Sequence, residues 1–353
     1  MNLSSTQHKV FLRQLVAACS LIFFWLSLSL CLSSSAHDLS AQQTAAIDAH
    51  ALAAPSEVES DRKLLVAYLI QGLHTDSEKA RAIYRWITDR ISYDADAFLS
   101  GRMEDMTVDD VMKKRMSVCF GFSNLFEKMA KEAGLEVKSI SGYAKAYGTS
   151  QGQHFDKPNH AWNAVHINGN WFLIDTTWGA GYIKNGKFKK EMSEAFFLTP
   201  PEQFVFSHFP VDEQWQLQRT SHLSQREFES LPQIEPTFFN NNISPIDALE
   251  ATKSPEFSGS FVHTFELPYH LVSILQAPVM YRLKIDHSYL FKINAGIFEK
   301  MALVQTDHWQ EMDKDGDQFS FNYNTQYQGQ LLVVGKKFDS DQYTAILAYE
   351  LGR

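Results

Sequence analysis

The chain is poor in cysteine. Of its 353 residues only Cys19, Cys31 and Cys119 are cysteines. The first two lie inside an apolar N-terminal stretch that is expected to be cleaved off, and the one remaining thiol has no internal partner. A framework of disulfides is thereby excluded. Positive charge is scarce as well: 32 Lys and Arg stand against 41 Asp and Glu, a formal charge of −9. Losing Lys9 and Arg13 with the leader takes two positive charges from −9 and gives −11. Nucleic acid is not an expected partner, because phosphate recognition needs clustered Lys and Arg. After the N-terminal stretch, no apolar run approaches bilayer-spanning length. There is no internal repeat, no Gly-rich phosphate loop and no His/Cys set with zinc spacing. Asp313-Lys314-Asp315-Gly316-Asp317 is not an EF-hand loop, since Gln318 and Asn324 stand where that loop needs Gly and Glu. It reads as a hairpin turn, so neither a metal nor a cofactor is expected.

What the N-terminus does contain is a leader. Lys9 and Arg13 precede an almost uncharged run from Leu15 to Leu32, and Ser33-Ser34-Ser35-Ala36 supplies small residues for cleavage. Residues 1–36 are expected to be a signal peptide; an uncleaved membrane anchor is the alternative. Residues 37–60 read as a linker with room for a short helix, and the mature length suggests about two domains.

Helical signals dominate the next stretch. Thr75-Asp76-Ser77-Glu78 is a capping box, and Ala80, Ile83, Ile87 and Ile91 fall on one stripe behind it. A short helix is expected from Thr107 to Lys114. Another starts near Ser117, its expected N-cap, with Phe122, Leu125, Phe126, Met129 and Ala133 recurring at helical spacing until Gly134. Strand patterns follow at Val137–Ala146, His160–Ile167 and Asn170–Thr176, and Asn168-Gly169 signals a tight hairpin between the last two. Residues 216–257 read as a linker with extended segments. From about 258 to 353, short aromatic and β-branched runs alternate with turns, the pattern of an all-β sandwich.

The candidate chemistry centres on Cys119. Near the start of a helix, unpaired N–H groups and the macrodipole stabilise an anion and favour thiolate over thiol. A thiolate that transfers acyl groups also needs a histidine as proton carrier and a third group to orient it. With a two-residue turn at Asn168-Gly169, cross-strand partners sum to 337, so Trp162 faces Asp175. His160 and Asp175 then project from one sheet face as diagonal neighbours. A three-residue loop would put them on opposite faces. His166 shares the face but lies nearer the turn, and reads as a partly exposed strand residue.

Several blocks together resemble the transglutaminase-like superfamily. They are Ala80–Asp94, Val118-Cys119-Phe120-Gly121-Phe122, Asn159–Val165 around His160, and Trp171–Gly179 around Asp175. Phe196–Glu202 and Ser207-His208-Phe209-Pro210 follow in the order of the branch typified by kyphoscoliosis peptidase. The resemblance spans about residues 61–215. It implies a papain-like α+β core in which Cys119 is nucleophile, His160 base and then acid, and Asp175 the orienting carboxylate. Trp162 and Trp178 are the candidates for the walls of a substrate cleft. Ser117 replaces a glycine common among relatives. No glutamine ahead of Cys119 offers a second oxyanion donor beside the Cys119 N–H.

The expected protein is therefore α+β: a papain-like transglutaminase core over residues 61–215 followed by an all-β sandwich-like domain. It would be exported, periplasmic or extracellular, and would transfer acyl groups at peptide or glutamine-type amides. Hydrolysis is the leading expectation and protein cross-linking an alternative. A non-catalytic envelope-binding scaffold is the rival from another class. Protein or peptide substrates are the expected partners, with a cell-envelope ligand for the C-terminal domain and a membrane only if the leader is kept.

Overall fold

The computed structural model describes residues 39–102, 104–217, 222–234, 236–265 and 272–352. The expected leader, with Cys19 and Cys31, lies outside them. No described helix is long and apolar enough to cross a membrane.

The chain folds in the expected α+β class. Helix Asp76–Arg90 carries the foreseen capping box at Thr75 and Glu78 and runs through the centre of the first core with Ala80, Ile83, Trp86 and Ile87 buried. Two-residue strands β1 (Ser92–Tyr93) and β2 (Met116–Ser117) pair in parallel. Helix Cys119–Glu132 starts directly after β2. Its apolar stripe, Phe122, Leu125, Phe126 and Met129, packs on an antiparallel sheet made of β3 (Glu136–Ala144), β4 (His160–Ile167), β5 (Asn170–Ile174) and β8 (His208–Pro210), in the order β5-β4-β3-β8.

The β4–β5 register is the one the two-residue turn requires. Asn163 faces Ile174, Val165 faces Phe172 and Ile167 faces Asn170. Asn168 (φ 49°) and Gly169 (φ 83°) are both left-handed, as a type I′ turn demands. Hairpin β6 (Gly181–Lys184) and β7 (Lys187–Lys190) completes this region.

The C-terminal region is β-rich, as expected. One sheet has the order β10-β12-β16-β15: Ser273–Gln276, Ser288–Asn294, Gln318–Asn324 and Asp313–Asp315. The other has the order β11-β18-β17-β13-β14: Arg282–Lys284, Tyr343–Gly352, Gly329–Lys337, Phe298–Gln305 and His308–Glu311, with β9 (His263–Thr264) on β18. Inward residues of both sheets, among them Phe291, Ile293, Phe319, Met301, Val333 and Leu347, share one core. The acidic 313–317 segment is the expected hairpin, with Asp315 opposite Gln318.

Two expectations need correction. Residues 37–60, expected to be a linker with at most a short helix, form the 12-residue helix Ala41–Leu52 and the turn Ser56–Glu59. Ile47 and Ala51 are buried in the first core, and Asp48 makes a two-pronged ion pair with buried Arg81. Residues 216–257 are likewise no extended linker. They contain helices Gln225–Ser230 and Pro245–Thr252 and a short 3-10 turn at Pro236–Asn241. Phe228, Leu231, Phe238, Phe239 and Ile243 enter the second core beside Phe206 and Phe209 of the first region. The second segment holds too few apolar residues in periodic order to announce its helices, and the burial of both depends on partners far away in sequence.

Candidate active site

The nucleophile position is built by β2 and the helix after it. Val118, rather than Ser117, is the N-cap, and it offers no side-chain bond to the helix start. Cys119 is therefore the first helical residue, where its N–H has no acceptor within the helix. Ser117 instead lies in β2, buried against Gly121. A Cβ on Gly121 would come within 2.0 Å of Ser117 Oγ, so this glycine makes room for the Ser117 side chain. Cys119 is 3 % exposed, while its neighbour Phe120 is 45 % exposed. The helix start thus lies just under the surface.

The other two residues come from the β4–β5 hairpin. Asp175, immediately after β5, caps helix Thr176–Ala180: its Oδ1 accepts from the N–H groups of Thr177 (2.8 Å) and Trp178 (3.2 Å). Its own N–H donates to Phe196 O at 3.0 Å. At the start of β4, His160 places Nε2 2.8 Å from Asp175 Oδ2. Because an ionised carboxylate only accepts, that nitrogen carries the hydrogen. Nδ1 is left open, and Cys119 at the helix start is near enough to act on the protonation of the ring. Burial opposes a charged imidazole here. The charge and hydrogen bond of Asp175, aided by Cys119, outweigh it and raise the His160 pKa to about 10. Asp175 is buried too, which by itself would favour the neutral acid. The charge of His160 and the hydrogen bonds from His160 and His208 hold its pKa well below the usual carboxylate range.

His208 is the site residue that sequence reasoning passed over. Its Nε2 lies 3.1 Å from the same Oδ2, and its Nδ1 is 2.7 Å from Ser207 Oγ. The ring stacks on Phe204 at 3.9 Å and tilts against Trp178 at 4.5 Å. The Ser-His-Phe-Pro block was visible in the sequence. Nothing in spacing alone showed that edge strand β8 pairs with β3 and so brings His208, opposite Ala144, to Asp175.

The two tryptophans separate. Trp178 is partly exposed and lies 5.4 Å from the His160 ring, a place consistent with a cleft wall. Trp162, expected there too, is 1 % exposed and packs in a buried cluster with Ile140, Leu173 and Phe204. It crosses over β3 at Gly142, where a Cβ would meet its Cη2 and Phe209 O at 2.3 Å. It backs the histidines instead of facing a substrate. His166 pairs with Glu136 at 3.2 Å, away from Asp175.

Among the described residues, His160, Asp175 and His208 bring donor atoms close enough to share a metal ion, all within 4.8 Å. Those atoms are already joined by hydrogen bonds, and aromatic rings seal the space around them. The trio reads as a proton network.

With this geometry in view, the comparisons with known proteins are informative. Residues 63–176 match the family model of the Transglutaminase-like superfamily. The chain carries a transglutaminase-like domain. Kyphoscoliosis peptidase of Mus musculus is 36 % identical over 189 residues, which is 53 % of this chain and 28 % of the relative. The Lim and transglutaminase domain protein ltd-1 of Caenorhabditis elegans is 31 % identical over 227 residues, covering 58 % and 30 % of the two chains. Hillarin of Drosophila melanogaster is 31 % identical over 214 residues, covering 55 % and 25 %. The chain spans under a third of the length of these curated relatives. The transglutaminase-like match ends at residue 176, just past Asp175, so Trp178 and His208 lie beyond it.

Proposed function

We propose that this protein is an exported cysteine enzyme of the transglutaminase-like class. It attacks peptide or glutamine-type amides through a thioester on Cys119, with water as the usual acceptor. The observation that carries the reading is His160 tied to Asp175 through Nε2, with Cys119 near enough to help raise the His160 pKa. In this reading the Cys119 sulfur attacks the carbonyl carbon, and the C=O electron pair moves onto oxygen. The Cys119 backbone N–H stabilises that oxyanion. Collapse expels the amine, which takes a proton from the His160 imidazolium, and leaves the thioester. Neutral His160 then removes a proton from water, whose oxygen attacks the thioester and releases the acid. An amine in place of water would give a cross-linked product. Residues 1–36 support export, and the name of the Mus musculus relative favours peptide substrates by analogy alone.

The test is intact-mass measurement after acid quench of the full-length protein mixed with envelope peptides. The expected result is an acyl adduct on wild-type protein and none on Cys119→Ala. Release of free acid supports hydrolysis, while transfer to an added primary amine would move the assignment to cross-linking. No adduct, together with Cys119 alkylation by iodoacetamide that follows ordinary thiol behaviour, would leave a non-catalytic binding protein.

A further inference from the structure

We propose that His208 is a positioning residue for the reaction: as a neutral donor it fixes Asp175 Oδ2 so that the carboxylate holds His160 in line with Cys119. The inference rests on the reading of Cys119 as nucleophile and goes beyond it, because no part of the Cys–His–Asp scheme calls for a second histidine.

The geometry assigns each proton. Asp175 Oδ1 is held by two backbone N–H groups at the start of helix Thr176–Ala180. Those bonds anchor one oxygen only, and the carboxylate can still rock about it. Oδ2 takes two ring donors, His160 at 2.8 Å and His208 at 3.1 Å. Since the carboxylate cannot donate, the hydrogen of a neutral His208 sits on Nε2, and bare Nδ1 accepts from Ser207 Oγ at 2.7 Å, a shorter path for that hydroxyl than Phe204 O at 3.2 Å. The ring has little freedom to turn. It is clamped by Phe204, Trp178 and Trp162, with centroids at 3.9, 4.5 and 5.1 Å, and its backbone is fixed in β8 opposite Ala144.

Burial among those rings lowers the His208 pKa to about 4, with the charge on His160 acting in the same direction. The two histidines therefore differ in kind: one is cationic and lies near Cys119, the other is neutral and joins the carboxylate to Ser207. A neutral N–H supports the buried negative charge without competing for the role of cation.

The experiment measures carbamidomethylation of Cys119 by iodoacetamide in the full-length protein at pH 6 and pH 9.5, by mass spectrometry. His208→Phe keeps an aromatic ring in the stack and removes the donor. His208→Gln keeps an N–H near the position of Nε2 and gives up the stack. Loss of one hydrogen bond to a buried charge should slow alkylation of His208→Phe at pH 6 about tenfold, with rates converging at pH 9.5. His208→Gln should stay within about threefold of wild type, and Ser207→Ala, which frees the tautomer, should slow by about threefold. Added to Asp175→Asn, His208→Phe should have no further effect, because it acts through that carboxylate.

Wild-type rates in His208→Phe at pH 6 would overturn the proposal and reduce His208 to packing. So would equal losses in the Phe and Gln variants, or full additivity with Asp175→Asn. Stoichiometric zinc in the purified protein, lost in His208→Phe, would overturn it in favour of a metal-holding role. Wild-type protein that is unreactive at pH 6 but ordinary at pH 9.5 would instead bring down the nucleophile reading and this inference with it.

Discussion

The two regions of the molecule bury polar groups in opposite ways. In the N-terminal α+β region, Arg81, Ser117, Ser123, His160, Asn163, Asp175, Thr177 and His208 are all buried. In the C-terminal sheets the buried polar residues among those described are Gln305 and Thr325. Those two pin loops: Gln305 Nε2 donates to Tyr327 O and its Oε1 accepts from Tyr323, while Thr325 Oγ1 bonds to Lys284 O and His287 O. The first region also contains buried side-chain atoms with no hydrogen-bond partner among the described residues, including Trp162 Nε1 and Asn163 Oδ1. Buried polarity that a scaffold does not need is tolerated where chemistry uses it. The C-terminal core is closer to what packing alone would choose.

That contrast can be broken or sharpened by measurement. The largest effect belongs to the site. Asp175→Asn should lower acyl transfer by roughly a thousandfold or more, as expected when the group orienting a catalytic imidazole is lost, whereas a turnover near wild type would remove Asp175 from the reaction. Next comes the opposite kind of lesion. Phe291→Ala, in the fully buried C-terminal core, should cost about 3–5 kcal/mol by urea unfolding, while the Cys119 alkylation profile of the folded fraction stays unchanged. A changed profile would show that the sheets support the site.

The histidines give the polar region its own pH signature. His160 is raised from 6.5 to about 10, so its stabilising contribution is complete below about pH 6.5 and declines as pH rises toward 10. His208 is lowered to about 4, so the unfolded chain binds its proton first, and stability declines as pH falls from 6.5 toward 4. Urea midpoints should therefore peak near pH 6.5, with a loss on the order of 2–3 kcal/mol by pH 9. A midpoint that is flat between pH 6 and 9 would contradict the coupling of His160 to Asp175.

A smaller effect is expected away from the reaction. Arg81 is 1 % exposed and holds Asp48 on helix Ala41–Leu52 and Glu194 at the start of the 3-10 turn Glu194–Phe196. Both carboxylates are partly solvated, so Arg81→Met should cost about 2 kcal/mol, less than for a sealed pair. Its effect should appear in unfolding and in protease sensitivity of residues 41–52. Smallest is Gly169→Ala: at φ 83° a side chain in the hairpin turn costs about 1 kcal/mol. A larger loss would mean that the turn also controls the β4–β5 register.

Local signals were strong enough to place much of this in the sequence. The capping box at Thr75, the left-handed Gly134, the Asn168-Gly169 turn and the resulting pairing of His160 with Asp175 all depend on residues close together along the chain. Other features were hidden because their cause is distant. Ser117 read as an N-cap, but pairing of β2 with β1 draws it into a strand and passes the cap to Val118. Trp162 read as a cleft wall, but the gap over Gly142 lets it fold inward. Residues 216–257 read as a linker because their phenylalanines lack a period; their partners are the phenylalanines at 206, 209 and 261.

By itself, then, the amino-acid order determined the elements, the hairpin register and the pairing of one histidine with one carboxylate, since turn chemistry and side-chain alternation act over a few residues. Tertiary structure alone decided that a second, neutral histidine closes on the same carboxylate and that aromatic rings seal it there. It also decided which tryptophan stays near the surface. Those outcomes depend on an edge strand more than thirty residues downstream of Asp175 docking beside β3, and long-range docking of that kind leaves no local pattern in a sequence.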